Sequence, residues 1–146
     1  MSAIRSILIS FGVFWLSLWT VAPLGRPFAK LNNGITYGDS VISTFAMGVM
    51  TSMGRTVAAI LAGILVTVIV SGRRSELWAL IVAVLYAVDA PLRRHWFQSP
   101  TSSDRLWQGI DLVFPAVACI AAAFIIARLR RDRSNPGRVA EPSTAG

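Results

Sequence analysis

The chain has 146 residues, 54% of them apolar and 14% charged, with a mean hydropathy of +0.60 and a formal net charge of +7. Because soluble domains usually carry about 25% charged residues, this composition excludes a water-soluble enzyme domain and excludes disorder for most of the chain. We expect an all-α integral membrane protein with one compact membrane domain over residues 1–133.

The first predicted membrane helix covers about residues 4–24. The run from Ser6 to Gly25 has no charged residue over 20 positions, which is long enough to cross a bilayer. Pro23 and Pro27 predict its end, because proline breaks helices. A short basic start before an apolar run is also typical of a secretory signal. We expect the helix to be retained, because Pro23 directly follows the best cleavage candidate, which ends at Ala22.

The second predicted helix covers residues 40–71. A turn signal at Asn33 and Gly34 precedes it, and Asp39 or Ser40 can act as its N-cap. Its 32 residues would reach about 48 Å, well beyond a hydrocarbon core of about 30 Å. We therefore expect this helix either to tilt and project from the bilayer or to break near Gly54.

The third predicted helix covers residues 75–90, with Ser75 as a possible cap and Pro91 as its end or kink. The fourth covers residues 103–130. A capping box over residues 101–104 opens it, and Pro115 predicts a kink. Residues 134–146 are rich in Pro, Gly, Ser and Ala and predict a short disordered tail. The chain is thus predicted to be a bundle of four transmembrane helices followed by this tail.

The positions of Lys and Arg predict that both termini face the cytoplasm (N-in/C-in). With this orientation eight arginines lie inside and five basic residues lie outside, as the positive-inside rule requires. The cluster from Arg128 to Arg133 follows the last apolar run, where anionic lipid headgroups are the expected partner. No basic helix with interleaved aromatics stands apart from the apolar segments, so we do not expect a nucleic-acid partner. The expected location is a bacterial cytoplasmic membrane.

Three charged residues within the apolar segments are predicted to share one depth. Measured from the expected inner boundary, Arg55, Asp89 and Asp111 lie about 21 to 26 Å into the bilayer. We expect them to face each other as an intramembrane polar layer, because charges in a membrane need partners. Such a layer either fixes helix register or lines a polar pocket for an ion, a proton or a small anionic ligand.

In the pocket hypothesis, the mouth is formed by basic residues of the connection between the third and fourth helices. These candidates are Arg93, Arg94, His95 and Arg105.

The sequence offers little for metals or cofactors. Met47, Met50 and Met53 form a stripe of thioethers that suits Cu(I), although Met also serves as a gap filler in cores. His95 and Cys119 are the only residues of their types, which excludes an intrachain disulfide, a bis-histidine haem and a three-histidine zinc site within one chain. We expect no cofactor.

Small residues repeat every four positions in three of the predicted helices, which lets helices approach closely in lipid. The use is either packing within the chain or homodimerisation. The tryptophans, Trp15 and Trp19 among them, are predicted near span ends as interfacial anchors. The small residues are Gly54, Ala58 and Ala62; Ala79, Ala83 and Ala87; and Cys119, Ala123 and Ala127.

The sequence shows no P-loop, no Gly-x-Ser-x-Gly and no His-Glu-x-x-His motif, and no nucleophile–base pair is readable. We therefore expect a small multi-pass membrane protein that is not an enzyme and serves as a structural or accessory component beside a membrane protein partner. The alternative is a small oligomeric transporter or channel-like protein that uses the polar layer in the outer leaflet.

Overall fold

The computed structural model describes residues 3–35, 40–70, 75–93 and 102–133, which form four α-helices. The predicted all-α, four-helix bundle is confirmed, whereas the predicted tail at 134–146 lies outside the described residues. The helices are α1 (Ala3–Asn33), α2 (Val41–Ile69), α3 (Glu76–Arg93) and α4 (Ser102–Arg133).

Three of these helices are long and apolar enough to cross a membrane: α1, α2 and the Arg105–Arg133 part of α4. The chain is therefore a small multi-pass helical membrane protein. α3 is not among the helices that are long and apolar enough to cross, because its 18 residues include three charged ones, Glu76, Asp89 and Arg93. A fourth crossing stays a prediction.

Helix α1 is longer than predicted. It continues through Pro23 and Pro27 to Asn33, so the expectation that these prolines end it was wrong. Both prolines are exposed on the helix surface. The turn signal marks the true end, where the Gly34 N–H donates to the Leu31 carbonyl at 3.1 Å.

The two tryptophans of α1 do not lie at its ends. Trp15 and Trp19 occupy the middle of the 31-residue helix, and both are exposed. The shorter predicted helix, residues 4–24, would have placed Trp19 near its end, whereas Trp15 lies near the middle of either helix.

Helix α2 runs unbroken past Gly54. Of the two predicted N-caps it uses Ser40, whose Oγ accepts from the Ser43 N–H at 3.1 Å. Its predicted bounds are correct to within two residues, and of the two alternatives the break near Gly54 does not occur.

The ends of α3 and α4 differ slightly from the prediction. α3 includes Pro91 and ends at Arg93, so the proline does not end it. At its start, the Ser75 backbone carbonyl accepts from the Trp78 N–H at 3.2 Å. α4 continues through the buried Pro115. Thr101, the first residue of its predicted capping box, lies outside the described part.

The four helices alternate in direction. Gly48 lies against Ile110 and Gly63 against Cys119, which makes α2 and α4 parallel. Between α1 and α3, Ser10 contacts the Trp78 carbonyl and Ser17 contacts Tyr86. These two helices are therefore parallel as well. α2 packs against the other three helices and has its most extensive interface with α4.

Small residues form these interfaces within the chain. A Cβ on Gly54 would lie 2.7 Å from the Gly25 Cα, and one on Gly63 would lie 2.4 Å from the Cys119 carbonyl oxygen. Such separations are shorter than van der Waals contact, so only glycine lets these backbones approach. Two of the predicted small-residue repeats are buried at every position: Gly54, Ala58 and Ala62 on α2, and Cys119, Ala123 and Ala127 on α4. Intrachain packing is thus their use.

Candidate functional site

A polar region of the bundle interior is centred on Arg55 of α2. Its Nη1 donates to Asp111 Oδ2 on α4 at 3.0 Å, and its Nη2 donates to Asp89 Oδ2 on α3 at 3.0 Å. The Nη2 also donates to the Tyr86 carbonyl at 3.3 Å. The structure thus brings together the three residues that the helix rise places at one depth, and we call them the Arg55 cluster.

The Arg55 cluster is largely removed from the surface. The exposed fraction of the side chain is 11% for Arg55, 17% for Asp89 and 4% for Asp111. At this burial, charge-assisted hydrogen bonds are stronger than they are in water. Holding charges in such a place is unfavourable unless they are paired, and here one guanidinium serves two carboxylates.

Tyr86 connects the cluster to α1, and the sequence analysis missed it. Its ring centroid lies 6.0 Å from the Arg55 Cζ, and its hydroxyl lies 2.7 Å from the Ser17 Oγ. The ring also makes an edge contact with Phe14, with 5.1 Å between centroids. Through Tyr86, the polar contacts at this level join all four helices.

A sequence signal for the α1 side of this contact does exist. Ser6, Ser10 and Ser17 are buried, and their spacings of four and seven place them on one helix face. Ser10 Oγ donates to the Ser6 carbonyl at 2.9 Å and lies 3.3 Å from the Trp78 carbonyl on α3. In a membrane helix, such a polar stripe indicates a face turned toward other helices.

The chemistry of the Arg55 cluster is that of ion pairing and hydrogen bonding. The guanidinium is fixed in position by acceptors on two helices, and each carboxylate accepts from it through one oxygen.

The predicted pocket mouth lies mostly beyond what the structure describes. Arg105 is exposed near the start of α4, and Arg93 is the last residue of α3. The Arg93 side chain, Arg94 and His95 lie outside the described residues. A ring of these four residues stays a prediction.

The methionine stripe lies on α2, where Met47, Met50 and Met53 are all half-buried. Within ranges 3–35, 40–70, 75–93 and 102–133, no group of three or more His, Cys, Asp or Glu could hold a metal ion. That search does not include thioethers, so copper binding by the methionines stays untested.

A second polar group lies at the end of the bundle where α4 finishes. The Arg131 Nη2 pairs with the buried Glu76 at the start of α3. The Arg130 Nη1 donates to the Thr67 carbonyl near the end of α2 at 3.0 Å. Arg128 and Arg133 are exposed at the same end. This end joins three helices and presents a basic surface.

Comparison with protein-family models, with curated proteins and with solved structures gives no match to this chain.

Proposed function

We propose that this chain is a non-catalytic accessory component of a membrane protein complex in a bacterial cytoplasmic membrane. The observation that carries the proposal is that the Arg55 guanidinium is occupied within the chain. It donates to acceptors on α3 and α4 at 3.0 to 3.3 Å. A guanidinium held by groups of its own chain stabilises one arrangement of helices. A fixed helical surface is what an accessory subunit offers to a partner.

The helix directions support a bundle that crosses the membrane four times. α2 and α4 are parallel, and both are long and apolar enough to span. If both cross, the chain must return between them, and α3 is the segment that connects their opposite ends. Its 18 residues reach about 27 Å, close to a hydrocarbon core of about 30 Å.

The basic end supports the N-in/C-in orientation. Arg5 near the start of α1 lies at the same end as the exposed Arg128 and Arg133 of α4, since the helices alternate in direction. Arginines beside span ends favour the cytoplasmic side, where anionic headgroups would meet them.

The test is cross-linking in intact membranes, followed by gentle detergent extraction and quantitative mass spectrometry. We expect one membrane protein to be recovered in near-equal amount with the tagged chain, and its assembly to fail when the chain is deleted. Recovery of the chain without any such protein, combined with normal assembly of the other membrane complexes in the deletion strain, would refute the accessory role.

A transporter or channel-like function is the second candidate. Asp89 supports it, because its side chain is 17% exposed and thus gives the Arg55 cluster access to the surface. The test is solute flux into liposomes that contain this chain alone, compared between wild type, Asp89→Asn and the control Asp132→Asn at the exposed end of α4. Flux lost only in Asp89→Asn would favour the transporter; no flux in wild type would exclude it for the solutes tested.

A further inference from the structure

One face of α4 carries a row of exposed side chains that is apolar along most of its length and basic at its end. The spacings of four, three, four and three residues put its members on one helix face. Val117 and Phe124 are about half exposed, and two arginines follow them near the end of the helix. The row, here named the α4 row, consists of Val117, Ala121, Phe124, Arg128 and Arg131.

The length of the α4 row matches one leaflet of a bilayer. Val117 precedes Arg128 by eleven positions, which is about 16 Å along the helix. Half of a hydrocarbon core of about 30 Å is about 15 Å. When Val117 lies near the centre of the bilayer, the two arginines therefore lie at the level of the headgroups, and Phe124 lies at the level of the acyl chains.

Helix α3 lies beside the α4 row and extends its apolar surface. The Arg131 Nη2 pairs with Glu76, which joins the end of α4 to the start of α3. Leu80 and Val84 lie one and two turns after Glu76, and both are exposed. Because α3 and α4 run in opposite directions, these side chains lead from the ion pair toward the centre of the bilayer, as Phe124 does on α4. An acyl chain can lie along both helices.

The basic end of the α4 row is suited to a phosphate group. The side chain of Arg131 is 61% exposed although it pairs with the buried Glu76, so the ion pair holds its guanidinium at the surface. Arg128 lies one turn away, and guanidinium groups bind phosphate through charge-assisted hydrogen bonds. Residues 128–133 carry four arginines and Asp132. With Glu76, these are four positive charges against two negative ones, a net charge of +2.

We propose that the α4 row binds one anionic phospholipid, with the phosphate on Arg128 and Arg131 and an acyl chain along Phe124 and Leu80. The net positive charge selects an anionic headgroup, and the apolar length of one leaflet selects a lipid over free phosphate. The proposal rests on the headgroup contact proposed above for the basic end, and it assigns that contact to a defined site. It does not rest on the accessory role, because it needs no protein partner.

The test is a lipid titration of the purified full chain in detergent, with bound lipids counted by native mass spectrometry. We expect the first phosphatidylglycerol to bind about tenfold more tightly than phosphatidylcholine with the same acyl chains. Arg128→Gln leaves the pair between Arg131 and Glu76 intact. We expect it to weaken phosphatidylglycerol binding about fivefold, which is the contribution of one arginine near an anionic surface. Asp132→Asn removes a negative charge beside the site and should strengthen binding.

The matched control is Arg105→Gln, which removes one exposed arginine near the opposite end of α4 and should leave binding unchanged. Inorganic phosphate in excess is added as a competitor and should not displace the lipid. Equal binding of the two lipids, equal losses in Arg128→Gln and Arg105→Gln, weaker binding in Asp132→Asn, or displacement by inorganic phosphate would each overturn the proposal. Failure of the accessory role would leave these results unchanged, because the measurement uses this chain alone.

Discussion

Replacing Arg55 with leucine tests whether the Arg55 cluster holds the bundle together. The substitution removes three hydrogen bonds, at 3.0, 3.0 and 3.3 Å, from acceptors on α3 and α4. The side chains of Asp89 and Asp111 are 17% and 4% exposed, and removing one member of a buried ion pair costs about 3–5 kcal/mol. We expect Arg55→Leu to lower the free energy of unfolding by about that amount.

The triple variant Arg55→Leu, Asp89→Asn, Asp111→Asn should lose less stability than Arg55→Leu alone. The reason is that it leaves no charged side chain of the cluster in the bundle interior, and replacing a whole buried ion network is often nearly neutral. Unfolding in detergent micelles, followed by circular dichroism against a denaturing detergent and against temperature, measures both variants.

Double-mutant cycles separate the two ion pairs. We expect a coupling energy above about 0.5 kcal/mol for at least one pair, and the larger coupling for Arg55 with Asp111, since Asp111 is the more buried aspartate. Arg26→Leu is the control, because Arg26 is exposed on α1 and surface substitutions stay within about 0.5 kcal/mol. If neither pair couples, the cluster does not stabilise the bundle and the physical reasoning for it is wrong.

Three further predictions use the same purified protein or intact cells. Gly63→Ala should lower stability by about 1–3 kcal/mol through overpacking, because its Cβ would lie 2.4 Å from a carbonyl oxygen of α4; Gly109→Ala, with open space around it, is the control, and equal stabilities would contradict the close approach. Tyr86→Phe should cost about 1 kcal/mol by removing the hydroxyl contact at 2.7 Å to α1, and unchanged unfolding would show that this link contributes nothing. Single-cysteine probes should react from outside the cell at Asn33 and not at Ser134, and the reverse pattern would overturn the N-in/C-in orientation.

The meeting of Arg55, Asp89 and Asp111 was predictable because it depends on quantities that vary little. An α-helix rises about 1.5 Å per residue, and adjacent helices of alternating direction start from shared boundaries. Depth along a helix can therefore be counted from the sequence to within about one turn. The need to pair a buried charge then selects which side chains face each other.

Tyr86 and Ser17 could not be found in the same way. They are 69 positions apart, and an apolar helix can carry a tyrosine or a serine on any face. Which of them meet depends on how α1 rotates about its own axis, and that rotation follows from the packing of the whole bundle. The serine spacing on α1 gives the face, though not the partner.

The helix ends that were wrong all involve proline. Pro23 and Pro27 were expected to end a helix and Pro91 to end or kink one, and each lies inside a helix. The rule that proline ends a helix reflects a lost hydrogen bond and a clash with the preceding turn. Each proline removes only one backbone hydrogen bond of its helix, and the helix continues on both sides of it, so this local rule does not decide where these helices end.

The serine face of α1 also has a consequence for the order in which the protein is made. Ser10 and Ser17 contact residues that follow them by 68 and 69 positions, so α1 emerges from the ribosome long before α3 exists. In the interval each hydroxyl can donate within its own helix, Ser10 to the Ser6 carbonyl and Ser17 to the Phe14 carbonyl. Neither hydroxyl needs to be left without an acceptor in lipid while synthesis continues. While Ser17 donates to the Phe14 carbonyl, its hydroxyl oxygen can still accept a hydrogen bond from the Tyr86 hydroxyl once α3 has been inserted.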